Sequence, residues 1–326
     1  MQRRSFNMIA AGAAALSILG GTTAMAQNYP ERPIEMIVPW GAGGGTDAVG
    51  RIIAELLQRE LGQPVNVVNR TGGSGVVGHT ALAQAAPDGY TIGVMTIEID
   101  MMHWQGLTDL TWEDYDILAL VNSDPGGLMV SADSDWQTAA DVRDTMTAEP
   151  AGTIKGSGTG QGGIWHLNML GWAMSEGMEP TQVGFVPSDG AAAGLTDMVA
   201  GGVQIVTSSL AEGRALIEAG RVRPLATMSN ERQALFPDVP TLKEATGSDW
   251  TLSVWRSIAA PKGLPEDIKA RLVDAVKAAY DSPEYTEFME GRGFGMRWAG
   301  PDEATEIVSA DDASLGEVMQ AAGLAK

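Results

Sequence analysis

Three glycine-rich segments, at 39–47, 69–75 and 155–163, each separate an apolar run typical of a strand from a stretch with helical spacing. Glycine permits positive φ angles and lets a ligand approach the backbone closely. The helix that follows such a turn offers unpaired N–H groups and the positive end of its dipole, which can bind a carboxylate or phosphate. The pattern therefore predicts an α/β chain whose strand-to-helix turns are available to an anion.

Strand-like and helix-like segments alternate along the chain in two blocks. The strand-like runs lie at 34–38, 65–68, 90–95, 153–155, 183–186, 203–207, 223–227 and 253–260. The stretches with helical spacing lie at 46–61, 75–86, 162–176, 191–200, 210–219, 265–279, 283–291 and 301–322. This β-α-β rhythm predicts two α/β lobes, each with a mainly parallel sheet.

The first 26 residues have the features of a signal peptide. Arg3 and Arg4 precede an uncharged apolar stretch at 8–21, and the run 24–26 is a small-x-small cleavage site. The apolar stretch is short for a retained membrane anchor, which is the alternative interpretation. The arginine pair is also compatible with twin-arginine export. We expect cleavage after this segment and a periplasmic mature protein.

Composition excludes several classes of function. The chain has no cysteine, which rules out a thiol nucleophile, a cysteine-ligated zinc and an iron–sulfur cluster. Its formal charge of −20 argues against nucleic acid and anionic lipid as partners. The same charge does not attract anions at long range, so local donors would have to hold a carboxylate ligand.

Motifs for catalysis and for cofactors are weak. The three histidines, His79, His103 and His166, have no metal-ligand spacing, and no Gly-x-Ser-x-Gly elbow occurs. Gly-x-Gly-x-x-Gly occurs at both 73–78 and 158–163, which shows how unspecific that pattern is, and no P-loop ending follows. We therefore predict neither an enzyme nor a bound cofactor or metal.

Several segments, taken in order, carry a resemblance to one family. They are Pro39-Trp40 with Gly43-Gly44-Gly45-Thr46-Asp47, then Ala86-Pro87-Asp88-Gly89-Tyr90-Thr91, and Phe236-Pro237-Asp238-Val239-Pro240-Thr241. These resemble the substrate-binding receptors of tripartite tricarboxylate transporters, over essentially the whole chain after the signal. The resemblance implies a two-lobed periplasmic binding protein of type II, which closes on a small organic carboxylate and delivers it to membrane permease subunits, acting as a monomer.

The resemblance also implies lobe boundaries and ligand contacts. The first lobe would span 27–127 and 253–326, and the second would span 128–252. The expected contacts are Trp40, Gly43, Gly44, Thr46, Asp47, Thr96, Ser157, Gly158, Thr159, Gly160, Gln161, Ser188 and Ser208. For Asp47, which falls in the first turn of a predicted helix, a helix cap is the alternative role.

Two departures from the family bear on the ligand. Ser188 lies where the family often has an aromatic residue and a lysine, and Ser208 lies where an acid is often found. The missing acid predicts a pocket that does not bind an amino group. Two other functions stay open at this point: a ligand-sensing partner of a membrane kinase, and a periplasmic α/β enzyme.

Overall fold

One mixed sheet of ten strands runs through residues 29–326, the part of the chain that the computed structural model describes. The predicted signal peptide lies outside these residues. None of the helices within 29–326 is both long enough and apolar enough to cross a bilayer. The sheet is shared by two lobes, lobe 1 and lobe 2.

Lobe 1 carries both ends of the described chain. Its strands are β1 (Ile34–Val38), β2 (Val65–Asn69), β3 (Thr91–Thr96), β9 (Ser253–Pro261) and β10 (Met296–Ala299). Its helices are α1 (Gly45–Leu61), α2 (Val76–Ala83), α3 (Ile99–Met102), α9 (Glu266–Tyr280), α10 (Pro283–Arg292) and α11 (Pro301–Ala321). Single 3₁₀ turns lie at Gly73–Gly75 and Trp112–Asp114.

Lobe 2 is built from the middle of the chain. Its strands are β5 (Lys155–Ser157), β6 (Gly184–Phe185), β7 (Ile205–Ser209) and β8 (Val222–Met228). Its helices are α4 (Ala139–Ala148), α5 (Ile164–Ser175), α6 (Ala191–Val199), α7 (Leu210–Glu218) and α8 (Leu242–Thr246). The predicted alternation of strands and helices is thus confirmed in both lobes, with ends shifted by a few residues.

The strand β4 (Tyr115–Ser131) joins the two lobes. Its first part, through Pro125, pairs with β9, and its last part, from Gly126, pairs with β7 and β8. All of these pairings are antiparallel, whereas β2-β1-β3 and β7-β5-β6 are parallel. The sheet is therefore mixed, because β4 leaves lobe 1 and the chain returns beside it through β9.

The strand β4 was not predicted from the sequence, because it contains a polar stretch. The run Asn122-Ser123-Asp124-Pro125 is typical of a turn. It stays extended because its polar side chains have partners in the fold. Asn122 Nδ2 donates to Gly295 O at 2.7 Å, and Asp124 Oδ1 accepts from Gly295 N at 2.7 Å. Gly126 then passes so close to Asn168 that an added Cβ would lie 2.0 Å from its Nδ2 atom.

Helix α1 shows how the apolar pattern becomes packing. Its residues Val49, Ile53 and Leu57 are fully buried in the core of lobe 1, where α1 packs beside α9. The helix ends at Gly62, whose φ of 68° allows the left-handed cap and whose N–H donates to Gln58 O. Both the helix and its stop were predicted from the sequence, and both are confirmed.

We expect Leu57→Ala to lower the free energy of unfolding by about 2–5 kcal/mol, because it leaves a cavity in this core. The matched control is Leu235→Ala, since that side chain is 47% exposed. Urea denaturation of both variants would check the prediction. Equal losses in the two variants would contradict the assignment of Leu57 to the core.

Candidate ligand-binding cleft

A cavity of about 90 Å³ lies between the two lobes. Lobe 1 and its return strand line it with Trp40, Gly41, Ala42, Gly44, Gly45, Thr46, Glu98, Val254 and Arg256. Lobe 2 lines it with Thr159, Ile164, Trp165, Asp189, Gly190, Ala191, Ala192, Ala193 and Glu212. The cavity is therefore complete only when the lobes are together.

Direct hydrogen bonds hold the lobes in contact around this cavity. Gly41 N donates to Asp189 O at 3.2 Å, and Ser74 Oγ donates to Gln161 O at 3.1 Å. Both bonds join a glycine-rich segment of lobe 1 to a segment of lobe 2. The described conformation is thus a closed one.

Hydrogen bonds to the Asp47 carboxylate fix the conformation of the first glycine-rich loop beside the cavity. Gly43, with a φ of 83°, donates its N–H to Asp47 Oδ2 at 2.9 Å. The Asp47 carboxylate also accepts from Arg51 and Asn69. Burial alone would raise the pKa of Asp47, but these hydrogen bonds hold it below its ordinary value. Asp47 thus fixes the loop from the first turn of α1 and lies outside the cavity wall, whereas the cap position is Gly44, without a side-chain cap hydrogen bond.

Four of the residues predicted as ligand contacts line the cavity: Trp40, Gly44, Thr46 and Thr159. The others lie outside its wall. They are Gly43, Asp47, Thr96, Ser157, Gly158, Gly160, Gln161, Ser188 and Ser208. The structure thus brings Trp40, Gly44 and Thr46 of the first loop together with Thr159 of the third, and the other contacts stay predictions.

The hydroxyl groups predicted for lobe 2 are used within that lobe. Ser157 Oγ donates to Val186 O at 2.7 Å, and Ser188 Oγ donates to Gly190 O at 3.1 Å. Ser208 is fully buried on β7 and also bonds to a backbone carbonyl. These side chains hold the loops that shape the cavity, while Thr159, Asp189 and Gly190 form its surface.

A short chain of hydrogen bonds places an acid in the cavity wall. Trp40 Nε1 donates to Thr96 Oγ1 at 3.2 Å, and Thr96 Oγ1 donates to Glu98 Oε2 at 2.5 Å. Glu98 Oε1 accepts from Ile164 N, at the start of α5, at 3.5 Å. Burial raises the pKa of Glu98. Thr96 therefore contributes by orienting Glu98 from behind, and Glu98 itself was missed by sequence reasoning.

Arg256, on β9, is the centre of a buried charge cluster. Its Nη1 donates to Asn122 Oδ1 at 2.5 Å and to Asp124 Oδ2 at 2.6 Å. Its Nε donates to Thr46 Oγ1 at 3.0 Å, and its Nη2 donates to Glu212 Oε1 at 3.2 Å. Arg256, Asp124 and Glu212 all have side chains no more than 5% exposed. The cluster therefore links β4 and β9 to Thr46 of lobe 1 and to Glu212 of lobe 2.

Glu212 is an acid of the cavity wall that sequence reasoning missed. Although Ser208 replaces an acid on β7, Glu212 in the first turn of α7 reaches the cavity. Its Oε1 accepts from Gly45 N, at the start of α1, at 3.2 Å, and its Oε2 accepts from Ser209 N at 3.3 Å. The Ser209-x-x-Glu212 capping box was visible in the sequence, but nothing there showed that the glutamate would bridge to lobe 1.

The start of α6 supplies the unpaired donors of the cavity. Ala191, Ala192 and Ala193 line it, and their N–H groups have no acceptor among residues 29–326. The N–H groups in the first turn of a helix point out along its axis and carry partial positive charge. This end of α6 can therefore accept a carboxylate without displacing any protein group.

The three histidines are structural in the described chain. His79 accepts from Thr96 N through Nε2, and His166 accepts from Gly162 N through Nδ1. Burial lowers the pKa of each to about 4, so both are neutral at pH 7. His103 lies beside Asp312, away from the cavity. Within residues 29–326, no group of three or more histidines and acids has the geometry to hold a metal ion.

Fold and cavity together define a two-lobed α/β binding protein. Solved structures of this class overlay the chain closely. The periplasmic binding protein BugD matches with a TM-score of 0.85 and 27% identity, over 91% of this chain and 100% of its own. A Rhodopseudomonas palustris protein solved with adipate also has a TM-score of 0.85 and 27% identity, over 91% and 99% of the two chains. MatC of the same organism, with bound malate, has a TM-score of 0.81 and 25% identity, over 89% and 99%.

Sequence comparison identifies the family. The model of the tripartite tricarboxylate transporter family receptor matches residues 49–324. A protein of Cupriavidus necator, described as a UPF0065 protein in the gbd 5′ region, is 34% identical over 294 residues, 88% of each chain. The chain therefore belongs to the tripartite tricarboxylate transporter receptor family, whose members are periplasmic solute-binding receptors rather than enzymes. The family resemblance and the fold class inferred from the sequence are confirmed.

We expect Arg256→Met to lower the free energy of unfolding by about 3–5 kcal/mol at pH 7, because it leaves Asp124 and Glu212 buried without their cation. Burial raises the pKa of both acids above the unfolded value. The protonated acids therefore favour folding at low pH, and this contribution is lost as pH rises through the folded-state pKa. The deficit of the variant should consequently be smaller near about pH 4 than at pH 7.

The control for this measurement is Arg59→Met. Arg59 is 48% exposed and pairs with Glu55 and Glu284 at the surface, so its loss should cost about 1 kcal/mol or less. Urea denaturation at the two pH values would check both variants. A deficit for Arg256→Met that matches the control, or that grows at low pH, would contradict a buried charge cluster.

Proposed function

We propose that this protein is the periplasmic receptor of a tripartite tricarboxylate-type transporter and captures a small organic carboxylate between its lobes for delivery to membrane permease subunits. The observation that carries the proposal is the cavity at the lobe boundary, where the unpaired N–H groups of Ala191, Ala192 and Ala193 meet the loop 40–46. Relatives of the same fold have been solved with malate and with adipate. Both of those ligands are carboxylates, which supports a carboxylate here.

Capture follows from the division of the cavity between lobes. Trp40 and Thr46 belong to lobe 1, whereas Thr159 and the start of α6 belong to lobe 2. A ligand that contacts both sets favours the closed state by the contacts that the open state lacks. The natural places for a hinge movement are β4, which pairs with strands of both lobes, and the start of β9, where the chain returns to lobe 1. The permease would then recognise the closed form.

Local donors hold the ligand against the charge of the whole molecule. The formal charge of −20 includes Arg3 and Arg4, so removal of the leader makes the mature protein two units more negative. Such a surface repels anions at long range, and salt screens that repulsion. The helix dipole and amides of α6 act at contact distance, where screening by salt is weakest.

The first prediction here concerns export. We expect the protein recovered from the periplasm to begin near Gln27, because Ala24-Met25-Ala26 fits a signal peptidase site. N-terminal sequencing and intact mass would check this. Recovery of the uncleaved chain in the membrane fraction would favour a retained anchor instead. Arg3→Lys with Arg4→Lys should block export only if the twin-arginine route is used.

A second prediction concerns the ligand. A thermal-shift screen against small mono-, di- and tricarboxylates should identify a class of acid that stabilises the protein by about 2.7 kcal/mol at a hundred times its Kd. Ala192→Asp should abolish that shift, because it places a carboxylate at the α6 donors, while the folded state tolerates an acid in the first turn of a helix. Ala192→Ser, neutral and small, is the matched control and should still bind.

Two results of this screen would contradict parts of the proposal. If no acid stabilises the protein, and mass spectrometry of denatured protein releases no acid, the proposed function is wrong. If acids bind equally well to Ala192→Asp, the function stands but the α6 subsite is wrong.

A further inference from the structure

The cavity carries more negative than positive charge from its own walls. Its lining contains three acids, Glu98, Asp189 and Glu212, and a single cation, Arg256. Four of the five N–H groups of the Arg256 guanidinium already have acceptors within the protein. Arg256 therefore has one N–H group left to donate to a ligand, and its charge is shared with the protein's own acids.

Two glutamates also fill the helix ends that would otherwise be anion sites. Glu212 of lobe 2 accepts from Gly45 N at the start of α1, at 3.2 Å. Glu98 of lobe 1 accepts from Ile164 N at the start of α5, at 3.5 Å. Each lobe thus places a carboxylate on a helix end of the other lobe. Asp189 lies just before α6 and also lines the cavity, but within residues 29–326 no carboxylate accepts from the N–H groups of Ala191, Ala192 and Ala193.

Hydrogen-bond directions make Glu98 an acceptor. The indole of Trp40 can only donate, so the Thr96 hydroxyl accepts from Trp40 and turns its own hydrogen to Glu98 Oε2. The other oxygen of Glu98 takes the N–H of Ile164. Each of these two bonds uses one lone pair of one Glu98 oxygen. Each oxygen keeps a further lone pair, which can accept from a donor on the ligand.

We infer that the ligand is a small acid with a single carboxylate and a hydrogen-bond donor, hydroxyl or ammonium, that faces Glu98. This inference rests on the proposed function. The single carboxylate lies at the start of α6, and the donor faces the glutamate side of the cavity. A second carboxylate would meet Glu98 and Glu212 at close range with almost no donor left to receive it. Glu98 is then the residue that selects hydroxy or amino acids against dicarboxylates.

The cavity of this closed form is small. A dry cavity of about 150 Å³ in another protein accommodates benzene, and the present cavity is about 90 Å³. This makes short-chain acids with different second groups the natural probes.

The test is isothermal titration of ligand-free protein with four matched three-carbon acids: propionate, lactate, alanine and malonate, with both enantiomers where they exist. We expect lactate or alanine to bind at least about tenfold more tightly than propionate, because only they offer a donor to the buried acceptor. Malonate should bind more weakly than propionate. The corresponding four-carbon acids extend the series, and the ranking of lactate against alanine separates hydroxyl from ammonium.

The variant that isolates the cause is Glu98→Gln, which keeps the shape of the side chain and removes its charge. In this variant the advantage of lactate or alanine over propionate should fall about tenfold, and malonate should gain affinity. Glu287→Gln, exposed on α10, is the matched control and should leave the ranking unchanged. If Glu98→Gln does not fold, the ranking in the native protein decides.

Tightest binding of malonate or another dicarboxylate by the native protein would overturn the inference and leave the receptor function intact. If no acid of either chain length binds, the acid released by denaturing the protein decides: a hydroxy or amino acid supports the inference, and a dicarboxylate overturns it. Release of no acid would overturn the proposed function itself.

Discussion

The buried guanidinium of Arg256 is the interaction on which the rest of the site depends. It lies on β9, bonds to Asn122 and Asp124 of β4, and reaches Glu212 of lobe 2. Without this cation, the polar stretch of β4 would leave an acid uncompensated at the crossing of the two lobes, at a cost of several kcal/mol. With it, the two strands are bonded to each other and to both lobes beside the cleft. The loop 40–46 is tied to the same group through Thr46.

The same cluster sets the electrostatics of the cleft. A buried arginine beside a ligand cavity would ordinarily indicate an anion site, because its planar fork matches a carboxylate. Here its donors are turned to the protein's own acids, and Glu98 and Glu212 occupy the starts of α5 and α1. The donors available to an anion are instead the backbone N–H groups of Ala191, Ala192 and Ala193 at the start of α6. The cavity thus has unpaired amide donors at the start of α6 and three acids, Glu98, Asp189 and Glu212, in its wall.

Local patterns in the sequence predicted much of the fold. Helix α1 follows from its apolar spacing and its glycine stop, and the strand-to-helix turns follow from the positions of glycine and proline. The strand β4 could not be predicted, because Asn122 and Asp124 favour a turn until Arg256 and Gly295, more than a hundred residues later in the chain, satisfy them. Its length depends on long-range contacts that leave no local signal.

The cleft was predicted in part. Trp40, Gly44, Thr46 and Thr159 follow from the position of glycine-rich loops at the ends of strands. Ser157 and Ser188 have the right chemistry, but their hydroxyl groups are used by nearby carbonyls. The donors of α6 belong to alanine backbone, which carries no side-chain signal. The acids Glu98 and Glu212 were missed because they enter the cavity across the lobe boundary, which only the closed fold defines.

The central claim is that α6 receives the ligand's carboxylate while Glu98 and Glu212 keep their places on α5 and α1. A crystal structure of the protein with its tightest-binding acid tests it most directly. The account predicts a ligand carboxylate within hydrogen-bonding distance of the N–H groups of Ala191 to Ala193, with a ligand donor facing Glu98. A ligand carboxylate on Ile164 N or Gly45 N, with the corresponding glutamate displaced, would contradict it.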